Sequence, residues 1–391
     1  MKKSLMSGSV FAVSMVCMSG AFAQSAAAPG PLHVAVSGVV DAQLEYIDAV
    51  DSASPDQDKP GRSRLSNVSS ELAFHSSLDL GDGMTALVKL TTGVSVDSGS
   101  SSLWGSAKDS YVGLKFDHVG TVILGRMTAA ARWISGTADF SPMGAGLQDD
   151  QGMLSGASGQ SHVGPQFNAR FDNAVGFETA SFGGLSARAY YGTNEGKSAA
   201  GLANSPHLND PSYSLGLEYN KGPIDVRLSA EQRNDKGTLN GSTDHNTRDR
   251  DFRFGMRYAL PDGTTLGLGF DRMRLTDANA TGTAKSLLSK HGVVVSARHA
   301  FGKHVVYGGY GVGSNVTCEF GDGSACSGAD TGARNGVLAY QYLINKQMMF
   351  ETFASVVKND ARGRYDFDAG GLGVASGAQS RAFGAGLRYA F

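Results

Sequence analysis

The C-terminal segment from Arg381 to Phe391 alternates strictly between two kinds of side chain. Phe383, Ala385, Leu387, Tyr389 and Phe391 share one face of an extended strand, and small residues with Arg388 share the other. A soluble sheet rarely places its closing aromatic at the chain terminus. A transmembrane barrel strand, by contrast, needs apolar side chains toward lipid, polar ones toward a wet lumen and an aromatic at the interface. The segment therefore predicts a strand of an outer-membrane barrel, with Tyr389 and Phe391 at the membrane interface.

The N-terminus predicts export. A short basic start precedes a mostly apolar stretch from Leu5 to Met18, and Ala21-Phe22-Ala23 has the small-x-small pattern that signal peptidase cleaves. We therefore expect a cleaved signal peptide over residues 1–23 and a mature barrel domain over residues 24–391. Cys17 is interpreted as an apolar residue of the signal, because the bulky Val16 before it does not fit a lipidation motif.

Composition excludes several other classes of protein. Of the 391 residues, 18% are charged and 41% are hydrophobic, and the apolar residues recur singly at every second position rather than in long runs. This distribution fits neither a bundle of membrane helices nor a large soluble core. The formal net charge of −2 offers no basic stripe for nucleic acid.

Cys318 and Cys326 lie close together in a polar segment, and in an oxidising exported location they form a possible loop disulfide.

The spacing of turn signals predicts about sixteen strands, one of them over residues 65–80. Tight and long connections take turns along the chain, and this rhythm is typical of an up-and-down antiparallel barrel with short periplasmic turns and long external loops. The predicted tight turns are Gly81-Asp82-Gly83, Asp117-His118-Val119-Gly120, Phe182-Gly183-Gly184, Lys221-Gly222-Pro223, Pro261-Asp262-Gly263, Phe301-Gly302-Lys303 and Asn345-Lys346.

Charged residues segregate to one face of the predicted strands. Between residues 223 and 233, Asp225, Arg227 and Glu231 oppose an apolar face, and between residues 250 and 260 so do Arg253 and Arg257. A charge facing lipid at the midplane costs roughly 2–4 kcal/mol, so we expect these side chains to face a wet lumen. Alternation alone also fits a soluble sandwich with its apolar face packed inward. The predicted signal peptide, the terminal Phe391, the strand count and the turn rhythm favour the barrel.

Several segments, in this order and spacing, carry a resemblance to a known family. They are Val39-Val40-Asp41-Ala42, Leu80-Gly81-Asp82-Gly83-Met84-Thr85-Ala86, Asp109-Ser110-Tyr111-Val112-Gly113-Leu114, Gly120-Thr121-Val122-Ile123-Leu124-Gly125-Arg126, Arg170-Phe171-Asp172-Asn173-Ala174-Val175, Ser181-Phe182-Gly183-Gly184-Leu185 and Gly386-Leu387-Arg388-Tyr389-Ala390-Phe391. Over nearly the whole mature length, the chain resembles a general diffusion porin of the Gram-negative outer membrane, closest to the trimeric porins of beta-proteobacteria. The resemblance implies a homotrimer in outer-membrane lipid that passes ions and small hydrophilic solutes. It also implies that Phe391 serves in assembly.

The resemblance further implies an all-β transmembrane barrel of about sixteen strands whose third external loop folds inward and narrows the channel. The segment 130–165 occupies that place in the chain. The carboxylates expected there are Asp139, Asp149 and Asp150, and the arginines expected to face them are Arg126, Arg132, Arg170 and Arg188. Opposite charges on facing walls would set up an electrostatic field across the narrowest point. The alternative for each arginine is a lumen residue paired with a neighbouring carboxylate, and for each aspartate a solvated loop face.

Other functions find little support in the sequence. His118, His162, His207 and the run Asp244-His245-Asn246 lack metal-ligand spacing, and no phosphate loop or nucleophile turn is present, so we expect no metal, no cofactor and no enzyme activity. A solute-selective channel would want a track of aromatics inside the lumen, for which Tyr190 and Phe353 are the inward candidates. An outer-membrane barrel enzyme and a secreted β-rich adhesin are the remaining alternatives.

Overall fold

The computed structural model describes residues 31–98, 107–141, 146–155, 167–195, 210–234, 248–278, 285–321, 323–368 and 370–391. The predicted signal peptide lies outside them. The strands are β1 (Leu32–Val50), β2 (Lys59–Asn67), β3 (Glu71–Gly81), β4 (Met84–Gly93), β5 (Ala107–Phe116), β6 (Gly120–Thr128), β7 (Arg170–Thr179), β8 (Leu185–Gly192), β9 (Ser212–Lys221), β10 (Ile224–Asn234), β11 (Arg248–Ala259), β12 (Thr264–Ala278), β13 (Lys285–Phe301), β14 (His304–Gly313), β15 (Thr317–Glu319), β16 (Ala333–Leu343), β17 (Met348–Asn359) and β18 (Gln379–Ala390). The helices are α1 (Ala130–Ser135), α2 (Gly152–Ser155) and a 3-10 turn (Pro55–Gln57), and none of these described helices is long and apolar enough to cross a membrane.

These segments form a closed antiparallel barrel of sixteen strands, as the sequence predicted. Neighbours in the chain are neighbours in the sheet, and β18 pairs with β1 to close it. The count is sixteen because β2 and β3 together form the strand beside β1, and β14 and β15 together form the strand beside β13.

The strand predicted over residues 65–80 is present, but it begins earlier, at Lys59, and is interrupted between β2 and β3. The extended backbone is interrupted where Ser69 adopts a left-handed φ of 58°. The backbone N–H of Asp41 on β1 loses a ladder partner there, and it donates to Ser70 Oγ at 2.9 Å instead. A side chain thus replaces a ladder bond, and the alternation pattern carries no sign of such a substitution.

All seven predicted tight turns join neighbouring strands at one end of the barrel. Asp82, His118, Gly183, Gly222, Gly263 and Gly302 have the positive φ values that such turns require. The other connections are longer and meet at the opposite end, which is the external end of a bacterial outer-membrane barrel.

The wall is apolar outside and polar inside. On β9, Leu215 and Leu217 are 59% and 55% exposed, whereas the preceding Ser214, on the opposite face, is fully buried. On β11, the inward Arg253 is 0% exposed and the outward Phe252 is 46% exposed. The predicted inner face of the charged strands is therefore confirmed, and the arrangement is the reverse of a soluble sandwich.

The C-terminal residue closes the sheet. Phe391 exchanges two backbone hydrogen bonds with Gly38 at 2.9 and 3.0 Å, and its ring lies over Gly38, where a Cβ would collide with it. The ring is 51% exposed and stacks on Tyr389. Both aromatics thus lie on the outer surface near the turn end of β18, as the sequence predicted.

Candidate channel constriction

The third external connection, between β6 and β7, folds into the barrel. Its helix α1 contacts β9, β10 and β11, and its helix α2 contacts β12, β13, β14 and β16. Leu147, Met153 and Leu154 from this connection pack against wall residues such as Val294 and Phe353, all of them buried. The connection therefore follows the inner wall from β9 to β17, where Gln148 donates to Glu351 at 2.7 Å, and the open part of the lumen lies toward the remaining strands.

Arginines of the wall hold the C-terminal end of α1. The last carbonyl groups of a helix have no partner within it, and cationic side chains satisfy them well. Arg257 donates in this way to the carbonyl of Gly136, directly after the helix. Arg253 donates to Ser135 Oγ at 2.7 Å and, nearer the start of the helix, to the Ala131 carbonyl at 3.0 Å. The helix is thus attached to β11 through charge-assisted hydrogen bonds.

The second helix is held in the same way. Lys290 on β13 donates to the Met153 carbonyl at 2.8 Å, and Ser296 donates to the carbonyl of Ala138. A Cβ on Gly292 would collide with the Met153 carbonyl oxygen, so this position on β13 needs glycine for the backbone of the connection to lie against the wall.

The three predicted loop carboxylates lie together, but they are not on a solvated face. Asp139, Asp149 and Asp150 are 5%, 4% and 2% exposed. One ligand atom from each lies within 4.8 Å of the others, so these residues could hold a cation. Asp139 accepts hydrogen bonds from Ser141 and Gln151, whereas Asp149 Oδ2 and Asp150 Oδ1 have no hydrogen-bond partner among the described residues. The solvated alternative was wrong, because the described parts of this connection are packed against the wall.

Burial changes the charge that this cluster carries. Desolvation raises the pKa of Asp139, and it raises the pKa values of Asp149 and Asp150 well above the ordinary value. The mutual repulsion of the carboxylates, with Asp368 nearby, acts on Asp149 in the same direction. Part of the formal negative charge of the connection is therefore neutralised by protons at a pH where isolated aspartates are ionised.

On the opposite wall, Asp109 of β5 lies among cations. Arg170 Nε donates to its carboxylate at 2.9 Å, and Lys89 Nζ lies 3.7 Å away. Arg132 of α1 donates to the Asn168 carbonyl at 2.8 Å. Desolvation lowers the pKa of Arg132, and the charge of Arg170 lowers it further. Arg132 and Arg170 are therefore close enough for their charges to interact.

Trp133 of α1 stacks with two wall arginines. The guanidinium carbons of Arg188 and Arg227 lie 3.6 and 4.4 Å from the centroid of the indole ring. Arg227 also donates to the Trp133 carbonyl at 3.2 Å. Stacking on an aromatic face fixes the planar guanidinium groups in the lumen. The predicted inward position of Arg188 is thus observed.

Arg126 lies elsewhere. Its register partner on β5 is Ser110, which shares its face with the outward Val112, and its guanidinium pairs with the exposed Asp172. The predicted inward orientation of Arg126 was wrong. An ion pair at the external end of a strand meets headgroups and water rather than hydrocarbon, so such an arginine is not forced inward.

Sequence reasoning assigned neither Arg253 nor Lys290 to the constriction. The detectable signal was the inward parity of Arg253 on an arginine-rich strand, which was recognised without being linked to the loop. Tyr365 and Phe367, from the last external connection, also pack into the cluster beside α2. No local pattern marks them, because their burial depends on a connection folding over the lumen.

The remaining predicted features fall into three groups. Tyr190 and Phe353 face inward as predicted, but they are 5% and 4% exposed and so offer no free aromatic face to a solute. The structure joins Cys318 and Cys326 in a disulfide with Cα atoms 5.9 Å apart. His162, His207 and residues 244–246 lie outside the described residues.

Known proteins resemble this chain in sequence and in fold. The model of the Gram-negative porin family matches residues 12–363. An outer membrane porin protein of Bordetella pertussis is 28% identical over 228 residues, which cover 53% of this chain and only 56% of the relative. An anion-selective porin from Comamonas acidovorans has a TM-score of 0.72 and 21% identity over 92% of this chain and 100% of that one. OmpT of Vibrio cholerae, in a trimer form, has a TM-score of 0.64 and 16% identity over 92% of this chain and 99% of that one.

Proposed function

The chain belongs to the Gram-negative porin family, and we propose that it forms a water-filled channel through which ions and small hydrophilic solutes diffuse passively across the outer membrane. The observation that carries this proposal is a closed barrel with charged residues on its inner wall and a long connection folded inside it. A barrel of this size leaves an aqueous lumen, and an inward connection sets its size limit.

We further propose a preference for anions. Lys89 and Arg170 on the wall, with Arg132 on α1, surround Asp109 with three cations, and Arg188 adds a fourth cation on the inner wall, against Trp133. The three carboxylates of the connection contribute less negative charge than their number implies, because their pKa values are raised. The name of the Comamonas acidovorans porin describes that protein as anion-selective, and its fold is shared by this chain.

Two further features of the mature protein are proposals. The signal peptide over residues 1–23 would be removed on export, and the barrel would assemble as a homotrimer in outer-membrane lipid. The trimer form of the Vibrio cholerae protein supports the second proposal at the level of fold. N-terminal sequencing of the purified protein tests cleavage before Gln24, and native electrophoresis in mild detergent tests the trimer.

Planar bilayers test the channel and its preference together. The purified protein should produce discrete current steps, and the reversal potential in a tenfold KCl gradient should have the sign of chloride permeation. Replacing Arg170 by Gln removes one charge, which at ~6 Å in water is worth about 0.7 kcal/mol. Chloride loses that attraction and potassium loses an equal repulsion, so the permeability ratio of chloride to potassium should fall about tenfold. K346Q, at an exposed tight turn, should leave the ratio unchanged.

The outcomes separate the two proposals. Absence of current steps from folded protein would remove the channel. Current steps with a potassium-type reversal potential, or an unchanged ratio in R170Q, would leave the channel in place and overturn the assignment of anion preference to this cluster.

A further inference from the structure

Four arginines lie side by side on the outer surface of the barrel, at the external ends of β11 and β12. They are Arg248, Arg250, Arg272 and Arg274, and all four are exposed. The strand register pairs Arg250 with Arg274, and Arg272 with the outward Phe252. Cross-strand partners share a face, so these arginines point away from the lumen. We call this group the outer arginine cluster.

The cluster lies at the external edge of the apolar band. Outward positions of β11 run from Tyr258 through Met256 and Phe254 to Phe252, and the next outward residue is Arg250. The strand between Tyr258 and Arg250 rises ~27 Å, or ~20 Å across the membrane at a tilt of about 45°. That distance approaches the height of the lipid-facing band of such barrels. The arginines therefore lie at the level of the lipid headgroups in the outer leaflet.

The described part of the protein supplies no carboxylate to this cluster. Asp249, Asp251 and Asp271 belong to the same two strands, but they are buried on the inner face. No ion pair joins a described carboxylate to any of the four arginines, and Arg250 instead donates to Gln232 at 2.9 Å. Arg250 and Arg274 are direct cross-strand partners of like charge, an arrangement that disfavours the sheet unless an anion lies between or above them.

A second like-charged pair lies at the same end of the wall. Arg334 on β16 is the cross-strand partner of Lys358 on β17, and both are exposed on the outer face. Between the two pairs, the outward His291 on β13 is the register partner of Arg272, and its ring stacks on Phe270 at 5.9 Å. Arginine and lysine side chains therefore recur along the external rim on β11, β12, β16 and β17, and those on β11 and β12 lie directly above the outward Phe252 and Phe270.

We propose that the outer arginine cluster binds the phosphate groups of a phosphorylated glycolipid in the outer leaflet, with the acyl chains of that lipid against the apolar residues below. The planar guanidinium group binds phosphate oxygens through two parallel hydrogen bonds, and adjacent arginines match a headgroup that bears more than one phosphate. The phenyl rings of Phe252 and Phe270 lie where the acyl chains begin. This site is on the outside of the wall and does not depend on the channel.

Lipid retention in native mass spectrometry tests the proposal. The full-length trimer or monomer, as purified, is titrated in neutral detergent with bisphosphorylated lipid A, with monophosphorylated lipid A and with phosphatidylcholine. The expected order of affinity follows the number of phosphates. Each arginine near an anionic lipid surface contributes about fivefold, so R250Q/R272Q/R274Q should weaken binding of the bisphosphorylated lipid about 100-fold.

Two variants control for charge and folding. K221Q/K303Q/K346Q removes three exposed cations from the tight turns at the other end and should bind the lipid as the parent does. R250K/R272K/R274K keeps the charge without the planar fork and should bind more tightly than the glutamine variant but less tightly than the parent. Retained resistance of the barrel to SDS without heating shows that each variant is folded.

Three results would overturn the proposal. The first is equal binding of phosphorylated and neutral lipids, and the second is unchanged lipid binding by the folded glutamine variant. The third is displacement of the bound lipid by millimolar inorganic phosphate as effectively as by added lipid, which would indicate a site for free anions. Loss of the oligomer without loss of lipid would also overturn it, because the cluster would then be a contact between copies of the chain.

Discussion

The attachment of α1 to the wall can be tested at Arg253. The replacement R253M keeps a side chain of similar length but removes the guanidinium group, which is fully buried. It deletes the hydrogen bonds to the Ala131 carbonyl and to Ser135 Oγ, and it leaves Asp251, 3.6 Å away, without its cation. The substitution therefore removes the main polar contact between this helix and the middle of β11.

The size of the effect follows from these contacts. A hydrogen bond to a charged group is worth ~1.5–3 kcal/mol, and breaking a buried charge pair costs ~3–5 kcal/mol. The two estimates describe the same side chain and are not added. We take ~3 kcal/mol, the lower end, because Arg257 and Lys290 still hold the connection. That energy raises the population of a detached helix about 100-fold, at 1.4 kcal/mol per factor of ten.

Single-channel recording in neutral phosphatidylcholine bilayers measures this population directly. A detached α1 widens the lumen, so the fraction of recording time that R253M spends at a larger current level should be about 100 times that of the parent. K346M makes the same change of side chain class at an exposed turn and should record as the parent does. Identical current levels and transition frequencies in folded R253M would refute the inference that this arginine holds the constriction in place.

Three further predictions concern pH, the disulfide and the C-terminus. Burial raises the pKa values of Asp149 and Asp150 above 3.8. Both therefore take up protons as the pH falls, and the anion preference measured by reversal potential should rise between pH 8 and pH 5 in the parent but not in D149N/D150N. The same sign makes the ionised carboxylates a cost to the folded state above the raised pKa values, so the double variant should gain thermal stability at pH 8 relative to pH 4; a flat difference would contradict the raised values. Cys318 and Cys326 should react with maleimide only after reduction, and labelling without reductant would exclude the disulfide. Deleting Phe391 removes two backbone bonds to Gly38 and should reduce assembled protein in the outer membrane, whereas normal assembly would exclude that role.

Most of the wall could be predicted because its physics is local. The face of each residue follows from its parity, the strand ends follow from the turn residues, and the lipid excludes charges from the outer surface. This reasoning placed Arg227, Arg253 and Arg257 on the inner face and located every described tight turn. It failed at Ser70, where a side-chain hydroxyl replaces a backbone hydrogen bond of the sheet. It also failed at Arg126, because a charged residue at the external end of a strand can face outward.

The constriction was harder to predict because its parts meet only after the connection folds inward. Asp149 and Asp150 lie in a polar stretch that has the composition of a solvated loop, and nothing near them in the sequence indicates that they are buried. Trp133 is the exception. In related chains, a tryptophan in an external connection and inward arginines on the facing strands would together predict stacking like that of Trp133 with Arg188 and Arg227.

One strand shows how position decides what an arginine does. Arg250, Arg253 and Arg257 all belong to β11, and about 24 Å of strand separates the first from the last. Arg250 faces outward at the external edge, where anionic headgroups can satisfy it. Arg253 faces inward beneath α1 and donates to the Ala131 carbonyl and to Ser135 Oγ. Arg257 also faces inward and donates to the carbonyl of Gly136, directly after α1. Because each arginine has a different partner, a substitution at one should alter lipid binding or channel current but not both. Measuring lipid retention and single-channel current on both R250Q and R253M tests this: R250Q should change only the first and R253M only the second, and a change of both in either variant would refute the separation.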